Sequence, residues 1–180
     1  MSFRRRGLVP ALILVIALLV LLDQRGHLLA PAQDDPARYE GRSARVTRVI
    51  DGDTLEVDLP DRRTSRPRTR VRLIGVDCPE MNAGAGLPEP WAAEATAFSR
   101  RLVEGAYVTL LIDPARPRDP YDRLLAHVEL PDGALLNREL LAAGLARAED
   151  RWPHARLRQY EQAELIARRA KIGVWSAPAR

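Results

Sequence analysis

Apolar and polar residues alternate on both sides of the pair Asp51-Gly52, and this pattern restricts the fold more than any other feature of the chain. Apolar residues lead up to the pair between Val46 and Ile50, and they follow it with period two from Leu55 to Leu59. Asp-Gly is a favoured pair for a tight turn between antiparallel strands. The segment therefore predicts a β-hairpin with one buried face.

Five strands and three helices are predicted along the chain. Beyond the hairpin, the pattern predicts strands at 71–76, 108–112 and 124–130, and helices at 91–102, 136–143 and 154–171. The segment 113–122 is rich in proline, arginine and aspartate, and it predicts a mobile surface loop. This order favours a mainly β fold with helices (α+β), namely a five-stranded Greek-key barrel of the oligonucleotide-binding type with three helices.

An apolar segment near the N-terminus predicts export. Arg4, Arg5 and Arg6 precede an uncharged run from Gly7 to Leu22, which as a helix would span about 24 Å, slightly less than the hydrocarbon layer of a membrane. Basic residues before such a run keep the N-terminus in the cytoplasm, so the rest is expected in a bacterial-type cell envelope, in the periplasm or outside the cell. A transmembrane anchor is favoured over a cleaved signal segment, for which Ala30-Pro31-Ala32 is the candidate cleavage site.

Composition divides the chain into a basic stub (1–6), the anchor or signal segment (7–22), a polar linker (23–43), one folded domain (44–176) and a tail (177–180). The length suits a single core, and a monomeric domain is expected. The 28 basic and 24 acidic residues nearly balance once the stub is set aside, so net charge alone does not indicate nucleic acid. One cysteine excludes an internal disulfide, and the three histidines lack zinc-ligand spacing.

Three segments carry residues suited to chemistry. The first, 50–54, reads Ile-Asp-Gly-Asp-Thr; an ordinary charged turn has the same residues, and the ligand pattern of an EF-hand is absent. In the second, 71–80, Arg72 interrupts an apolar strand, where a charge is costly unless it is paired or used. The third, 119–126, places Arg123 where a loop enters a strand, although a solvated loop would look similar.

The three segments occur in the order and spacing of the staphylococcal nuclease (thermonuclease) family, which the chain resembles from Arg45 to Ser176. Further matches lie at 93–98 in the first predicted helix and at 132–146. The resemblance implies an oligonucleotide-binding barrel with three helices and a calcium-dependent nuclease site. An exported domain would meet the high calcium concentration that a site with few protein ligands requires.

Carried over by position, the resemblance implies a metal-binding set and a catalytic set. Asp53 and Asp77 resemble the carboxylate ligands of calcium, and Cys78 resembles the residue that offers its backbone carbonyl. Glu80 resembles the general base that takes a proton from the attacking water. Two residues resemble the pair that binds the scissile phosphate through fork-shaped donors, namely Arg72 and Arg123.

Substrate contacts are also implied, with some departures from the family pattern. Tyr121 keeps the position of a substrate-contacting tyrosine, and Trp152 falls near two tyrosines of the nucleotide pocket, where it is expected to stack on a base. Asp122 stands where glycine is common and adds negative charge beside Arg123. Cys78 replaces the usual threonine; a nucleophilic role for its thiol would need a nearby base, and no histidine is close in sequence.

Two functions follow from this reading. The first is a calcium-dependent endonuclease acting on single-stranded DNA or RNA, in which water attacks phosphorus, the 5′-oxygen leaves and 3′-phosphate products form. The alternative is a non-catalytic barrel that binds nucleic acid or protein, which Asp122 and the altered pocket wall favour. A purely structural envelope protein would leave the joint presence of the carboxylates and arginines unexplained. The expected partners are nucleic acid and, through the N-terminal segment, the membrane.

Overall fold

A closed five-stranded barrel forms the centre of the protein, whose computed structural model describes residues 34–83 and 86–176. The strands are β1 (Arg42–Asp51), β2 (Thr54–Val57), β3 (Thr69–Leu73), β4 (Val76–Asp77), β5 (Tyr107–Ile112), β6 (Leu124–Glu129) and β7 (Arg147–Ala148). The helices are α1 (Asp34–Tyr39), α2 (Ala92–Val103), α3 (Leu136–Ala142) and α4 (Leu157–Ala170), followed by a 3₁₀ turn at Gly173–Trp175. The barrel order is β1-β2-β3-β6-β5, and β4 and β7 form a separate two-stranded sheet. The prediction of a five-stranded barrel is confirmed.

β1 closes the barrel because it is long enough to pair with two neighbours. Its N-terminal half, from Arg42 to Arg45, pairs with β5, and the half from Val46 to Asp51 pairs with β2, both antiparallel. Two register shifts in the pairing with β2 bend the strand between these neighbours. β3 and β6 pair in parallel and complete the wall.

Aliphatic side chains from all five strands fill the barrel, and α3 packs with α4 beside it. The residues that predicted the hairpin, including Val46 and Leu55, point into this core. Burying each such side chain contributes about 1.5–3 kcal/mol relative to exposure. The fully buried members are Val46, Leu55, Val57, Val71, Leu73, Leu110, Leu124 and Val128 from the strands, and Leu136, Leu140 and Tyr160 from the helices.

Asn137 joins α3 to the barrel wall. Its Oδ1 accepts the N–H of Val128 at 2.9 Å, and its Nδ2 donates to the carbonyls of Ile74 at 2.9 Å and Ala126 at 3.3 Å. The Asn137 side chain is completely buried, so water cannot take its place as the hydrogen-bond partner of these backbone groups. Asn137 thereby fixes the place where the chain leaves β3.

The strand predicted at 71–76 is interrupted at Gly75, which corrects the prediction of one continuous strand. Gly75 has a φ of 76°, and a Cβ there would lie 2.2 Å from Nε2 of His154. Only glycine combines a left-handed backbone with so close a neighbour. The chain therefore turns out of the barrel after β3, and β4 pairs instead with β7.

The folded domain begins before Ala44, the boundary predicted from composition. α1 occupies residues that were predicted to be linker, and within it Tyr39 is buried, with its hydroxyl donating to the carbonyl of Pro60 at 3.2 Å. The predicted stub (1–6), anchor or signal segment (7–22), first part of the linker and tail (177–180) lie outside the described residues. Within residues 34–83 and 86–176, every helix is too short or too polar to span a bilayer.

A buried arginine ties three segments together. Arg118 donates from Nε and Nη2 to the carboxylate of Asp35 in α1, at 2.6 and 3.1 Å, and from Nη1 and Nη2 to that of Asp61, at 2.8 and 3.0 Å. Its Nη1 also donates to the carbonyl of Asp122 at 2.7 Å. The segment 113–122, predicted as a mobile surface loop, is thus anchored in its second half by buried ion pairs.

We predict that Arg118→Ala lowers the free energy of unfolding by about 3–5 kcal/mol, because it leaves two shielded carboxylates without their cation. Arg70→Ala is the matched control, since Arg70 forms only a partly exposed pair with Glu56, and it should cost less than about 1 kcal/mol. Urea unfolding followed by tryptophan fluorescence measures both. Equal losses in the two variants would contradict the role given to Arg118.

Candidate active site

The tight turn between β1 and β2 presents Asp53 to the interior. The N–H of Asp53 donates to Oδ1 of Asp51 at 3.2 Å, and Ser99 of α2 donates its hydroxyl to the carbonyl of Gly52 at 2.6 Å. A Cβ at Gly52 would lie 2.8 Å from the Cβ of Cys78. The turn is therefore packed closely against the segment that follows β4, and glycine is required for this approach.

Asp53 is almost fully buried and serves as a hydrogen-bond acceptor. Its Oδ2 accepts the N–H of Cys78 at 2.8 Å, and its Oδ1 accepts the hydroxyl of Thr54 at 3.2 Å. Burial raises the pKa of Asp53 to about 7, although the neighbouring Arg72 opposes this rise. The carboxylate thus lies in a place that favours additional positive charge.

Arg72 lies at the centre of a group of carboxylates from three separate segments. Its Nη1 contacts Oδ2 of Asp53, and its Nη2 donates to Oδ1 of Asp77 at 2.9 Å and lies 3.6 Å from Oε2 of Glu149. Burial by itself would lower the pKa of Arg72, but these carboxylates outweigh it and raise that pKa. The charge that interrupts the apolar strand is therefore paired, as its position in the sequence required.

Glu149 is a site residue that the sequence analysis missed. It follows β7, is only 8% exposed, and its Oε1 lies 2.8 Å from Nη2 of Arg151. Burial raises the pKa of Glu149, and the negative charge of Asp77 adds to the rise, while Arg72 opposes it. No local signal in the run Glu149-Asp150-Arg151 distinguishes it from an ordinary charged surface segment.

Arg123 is held beside the same centre by the loop that Arg118 anchors. Its Nε donates to Oδ2 of buried Asp119 at 2.6 Å, and its backbone N–H donates to Oδ1 of the same side chain at 3.0 Å. Its Nη1 donates to Oγ1 of Thr54 at 3.3 Å. Because the Thr54 hydroxyl donates to Asp53, Arg72 contacts the Asp53 carboxylate directly and Arg123 is linked to it through Thr54.

The carboxylate of Asp122 forms an ion pair with Arg63 and not with Arg123. Its carboxylate accepts from Nε of Arg63 at 2.8 Å, and both side chains are about half exposed. Asp122 has a φ of 61°, the left-handed conformation that explains why glycine is common at such a place. The expected weakening of Arg123 by Asp122 is therefore reduced by the partner that Asp122 already has.

Glu80 lies at the exposed end of the segment that carries Asp77 and Cys78. Its backbone N–H donates to Oε2 of Glu89 at 2.9 Å, and its carbonyl accepts the N–H of Glu89 at 2.9 Å. Partial burial raises the pKa of the Glu80 carboxyl, and the negative charge of Asp53 raises it further. The positive charges of Arg72 and Arg123 oppose this rise.

The other predicted site residues, Cys78, Tyr121 and Trp152, differ in their exposure to solvent. Burial raises the pKa of the Cys78 thiol well above its usual value, which makes it a poor nucleophile near neutral pH. Tyr121 is 80% exposed, and the guanidinium of Arg123 lies 5.5 Å from its ring centroid. Trp152 is only 4% exposed and packs with Ile74 and Leu125, so its ring is not free to stack on a base.

The residues at this site suit a hard cation with oxygen ligands. Asp53 and Asp77 converge on the same guanidinium, and burial is the main cause of the raised pKa of Asp53. Within residues 34–83 and 86–176, three or more histidine, cysteine, aspartate or glutamate side chains do not gather into a metal-binding group. A site of two carboxylates, one backbone carbonyl and water does not need such a group, and it matches the donors that calcium accepts.

Comparison with known proteins identifies the family of this chain. The family model for staphylococcal nuclease homologues matches residues 70–177. A thermonuclease from Staphylococcus intermedius is 36% identical over 165 residues, which cover 91% of this chain and 94% of the relative. A thermonuclease from Staphylococcus hyicus is 31% identical over 178 residues, covering 95% and 99%, and an uncharacterized endonuclease from Escherichia coli is 36% identical over 132 residues, covering 73% and 76%. The chain therefore belongs to the family of staphylococcal nuclease homologues.

Proposed function

We propose that this chain is a calcium-dependent endonuclease that hydrolyses phosphodiester bonds in single-stranded DNA or RNA and leaves 3′-phosphate ends. One observation carries the proposal: Asp53 and Asp77 contact the same guanidinium, that of Arg72, while Arg123 reaches this centre through Thr54. The thermonuclease and endonuclease names of the relatives support the reaction class.

The two arginines bind the scissile phosphate in this mechanism. Arg72 is oriented by Asp53 and Asp77, and Arg123 by Asp119, so little rearrangement is needed when the phosphate arrives. Their fork-shaped donors match the oxygens on which charge builds during attack at phosphorus. Loss of one such donor costs about 3–4 kcal/mol of transition-state stabilisation.

Glu80 takes the proton from the attacking water. Its raised pKa makes it a stronger base than an ordinary glutamate. The 5′-oxygen then leaves from the opposite side of phosphorus. Asp53, Asp77 and the Cys78 carbonyl would hold a calcium ion, which would supply positive charge beside the phosphate. The hydrogen bonds between Glu80 and Glu89 hold the backbone beside the base.

We predict that Glu80→Gln lowers kcat by about 10²- to 10⁴-fold and changes KM by only a few-fold, because the amide cannot accept the proton while the arginines remain. Cleavage of denatured DNA by the full-length chain in detergent measures both constants. Glu161→Gln, a change at an exposed residue of α4, is the matched control and should leave them unchanged. Strand binding by the unmodified chain without any cleavage would favour the non-catalytic alternative.

The second expectation concerns the metal. Chelation should abolish cleavage by the full-length chain, and added calcium should restore it, since the carboxylates need a cation to bring a phosphate near them. Asp77→Asn should raise the calcium concentration that gives half the maximal rate, whereas Asp132→Asn, at an exposed turn residue, should not. Activity that persists in chelator would remove the calcium assignment.

We also propose that the enzyme is exported and held at the membrane by its N-terminal segment. The proposal rests on Arg4, Arg5 and Arg6 preceding the apolar run from Gly7 to Leu22. The expected result is recovery of the chain in the membrane fraction, with a mass that includes this run. A shorter mature mass beginning after Ala32, in a protein free of membrane, would replace the anchor by a cleaved signal segment.

A further inference from the structure

A groove opens directly beside the candidate active site. It has a volume of about 420 Å³, and its lining includes Asp77 and Cys78 at the end of β4. Trp91, which precedes α2, and Arg147 of β7 also line it. Because Asp77 is paired with Arg72, the groove adjoins the candidate active site.

The contacts across the active site place this groove away from Tyr121. Arg123 lies over the Tyr121 ring and reaches Thr54, which is bonded to Asp53. Arg72 joins Asp53 through one nitrogen to Asp77 through the other. Tyr121 thus stands beyond the Arg123 end of this line of contacts, and the groove begins at the Asp77 end. A single strand that contacts both Arg123 and Arg72 would therefore extend from Tyr121 toward the groove.

Arg147 provides the charge that such a strand needs. It is the direct pairing partner of Asp77 between β4 and β7, yet its guanidinium stacks 4.4 Å from the ring centroid of Trp175. Arg168 lies 4.2 Å from the same ring. Within residues 34–83 and 86–176, Arg147 takes part in no ion pair. A stacked guanidinium without a carboxylate keeps its fork of donors available for a phosphate.

Trp91 provides an aromatic surface on the rim. It is 36% exposed and has a φ of 74°, an uncommon conformation for a bulky residue. Backbone strain of this kind is concentrated at functional sites. An exposed aromatic ring beside a guanidinium is an arrangement on which single-stranded bases stack.

Glu89 and Asp77 are the acidic residues that line this groove, and their charges oppose the binding of a phosphate. The Oε2 of Glu89 accepts the backbone N–H of Glu80, so its charge is engaged with the segment that carries the catalytic base. The other acid, Asp77, is paired with Arg72. Arg147 is therefore the unpaired charge that faces the groove from these elements.

We propose that this groove is a second nucleotide subsite, in which Trp91 stacks on a base and Arg147 binds the phosphate of a nucleotide flanking the scissile bond. This inference rests on the proposed nuclease function and extends it, since it defines a path for single-stranded nucleic acid on the side opposite Tyr121. It also supplies an aromatic platform that buried Trp152 does not provide.

The test uses short substrates with one cleavable phosphodiester and all other linkages replaced by phosphorothioate, which keeps its charge and resists cleavage. A dinucleotide is compared with versions extended by two nucleotides on the 5′ or the 3′ side. Trp91→Ala and Arg147→Gln should each lower kcat/KM about tenfold for one direction of extension only, and leave the dinucleotide unchanged. Tyr121→Ala should affect the opposite direction. Trp91→Phe should recover most of the loss, and Ile166→Ala, at an exposed residue of α4, should change nothing.

Other outcomes overturn the inference. Equal losses on the dinucleotide and the extended substrates would mean that Trp91 and Arg147 act on the catalytic centre instead. No loss on any substrate would mean that the groove holds no nucleotide. Fluorescence anisotropy with a fully phosphorothioate eight-nucleotide strand separates this result from the failure of the proposed function. Even if the full-length chain cleaves nothing, the two variants must bind that strand about tenfold more weakly, and unchanged binding would reject the subsite.

Discussion

The burial of one guanidinium against carboxylates from separate segments is the interaction on which the site depends. Arg72 comes from the barrel wall, Asp53 from the first turn, Asp77 from the arm after Gly75, and Glu149 from the end of β7. An ion pair removed from water is stable only when its geometry is satisfied. The need to pair this charge therefore brings together residues that are distant along the chain. In the proposed function, the same convergence provides the place for a phosphate and a cation.

A second buried arginine, Arg118, also pairs with carboxylates from separate segments, and it fixes the loop that carries Arg123. Arg118 binds Asp35 and Asp61 and also the carbonyl of Asp122, so the loop that carries Arg123 is attached to α1 and to the connection between β2 and β3. Arg123 is then oriented locally by Asp119. A loop that looks flexible by composition is fixed by pairs that its own sequence does not reveal. Preorganisation of this kind matters because a donor contributes to catalysis only when it need not be reoriented during the reaction.

The aromatic side chains around the site differ in how far they are exposed to solvent. Trp152 fills a gap against Ile74 and Leu125, whereas Tyr121 and Trp91 remain exposed on either side of the arginines. Stacking on single-stranded bases requires a free ring face, so exposure rather than residue type decides which aromatic can bind substrate. In the proposed function, the centre cleaves the strand, and the exposed rings and Arg147 extend the contact along it.

Sequence alone determined the elements whose signals are local. The Asp51-Gly52 turn with its flanking alternation predicted the hairpin, and helical spacing predicted α2, because turn chemistry and side-chain periodicity need only neighbouring residues. The ordered motifs also pointed to Asp53, Arg72, Asp77 and Arg123, which the structure links through direct contacts and through Thr54, whereas the role of Glu80 stays a prediction. Tertiary structure decided the rest: the break at Gly75, the inclusion of α1, the recruitment of Glu149 and the burial of Trp152. Each of these depends on what lies opposite in space, such as His154 against Gly75 or Arg118 against Asp35. Solvent exposure and charge pairing are properties of the packed chain, so no local pattern specifies them.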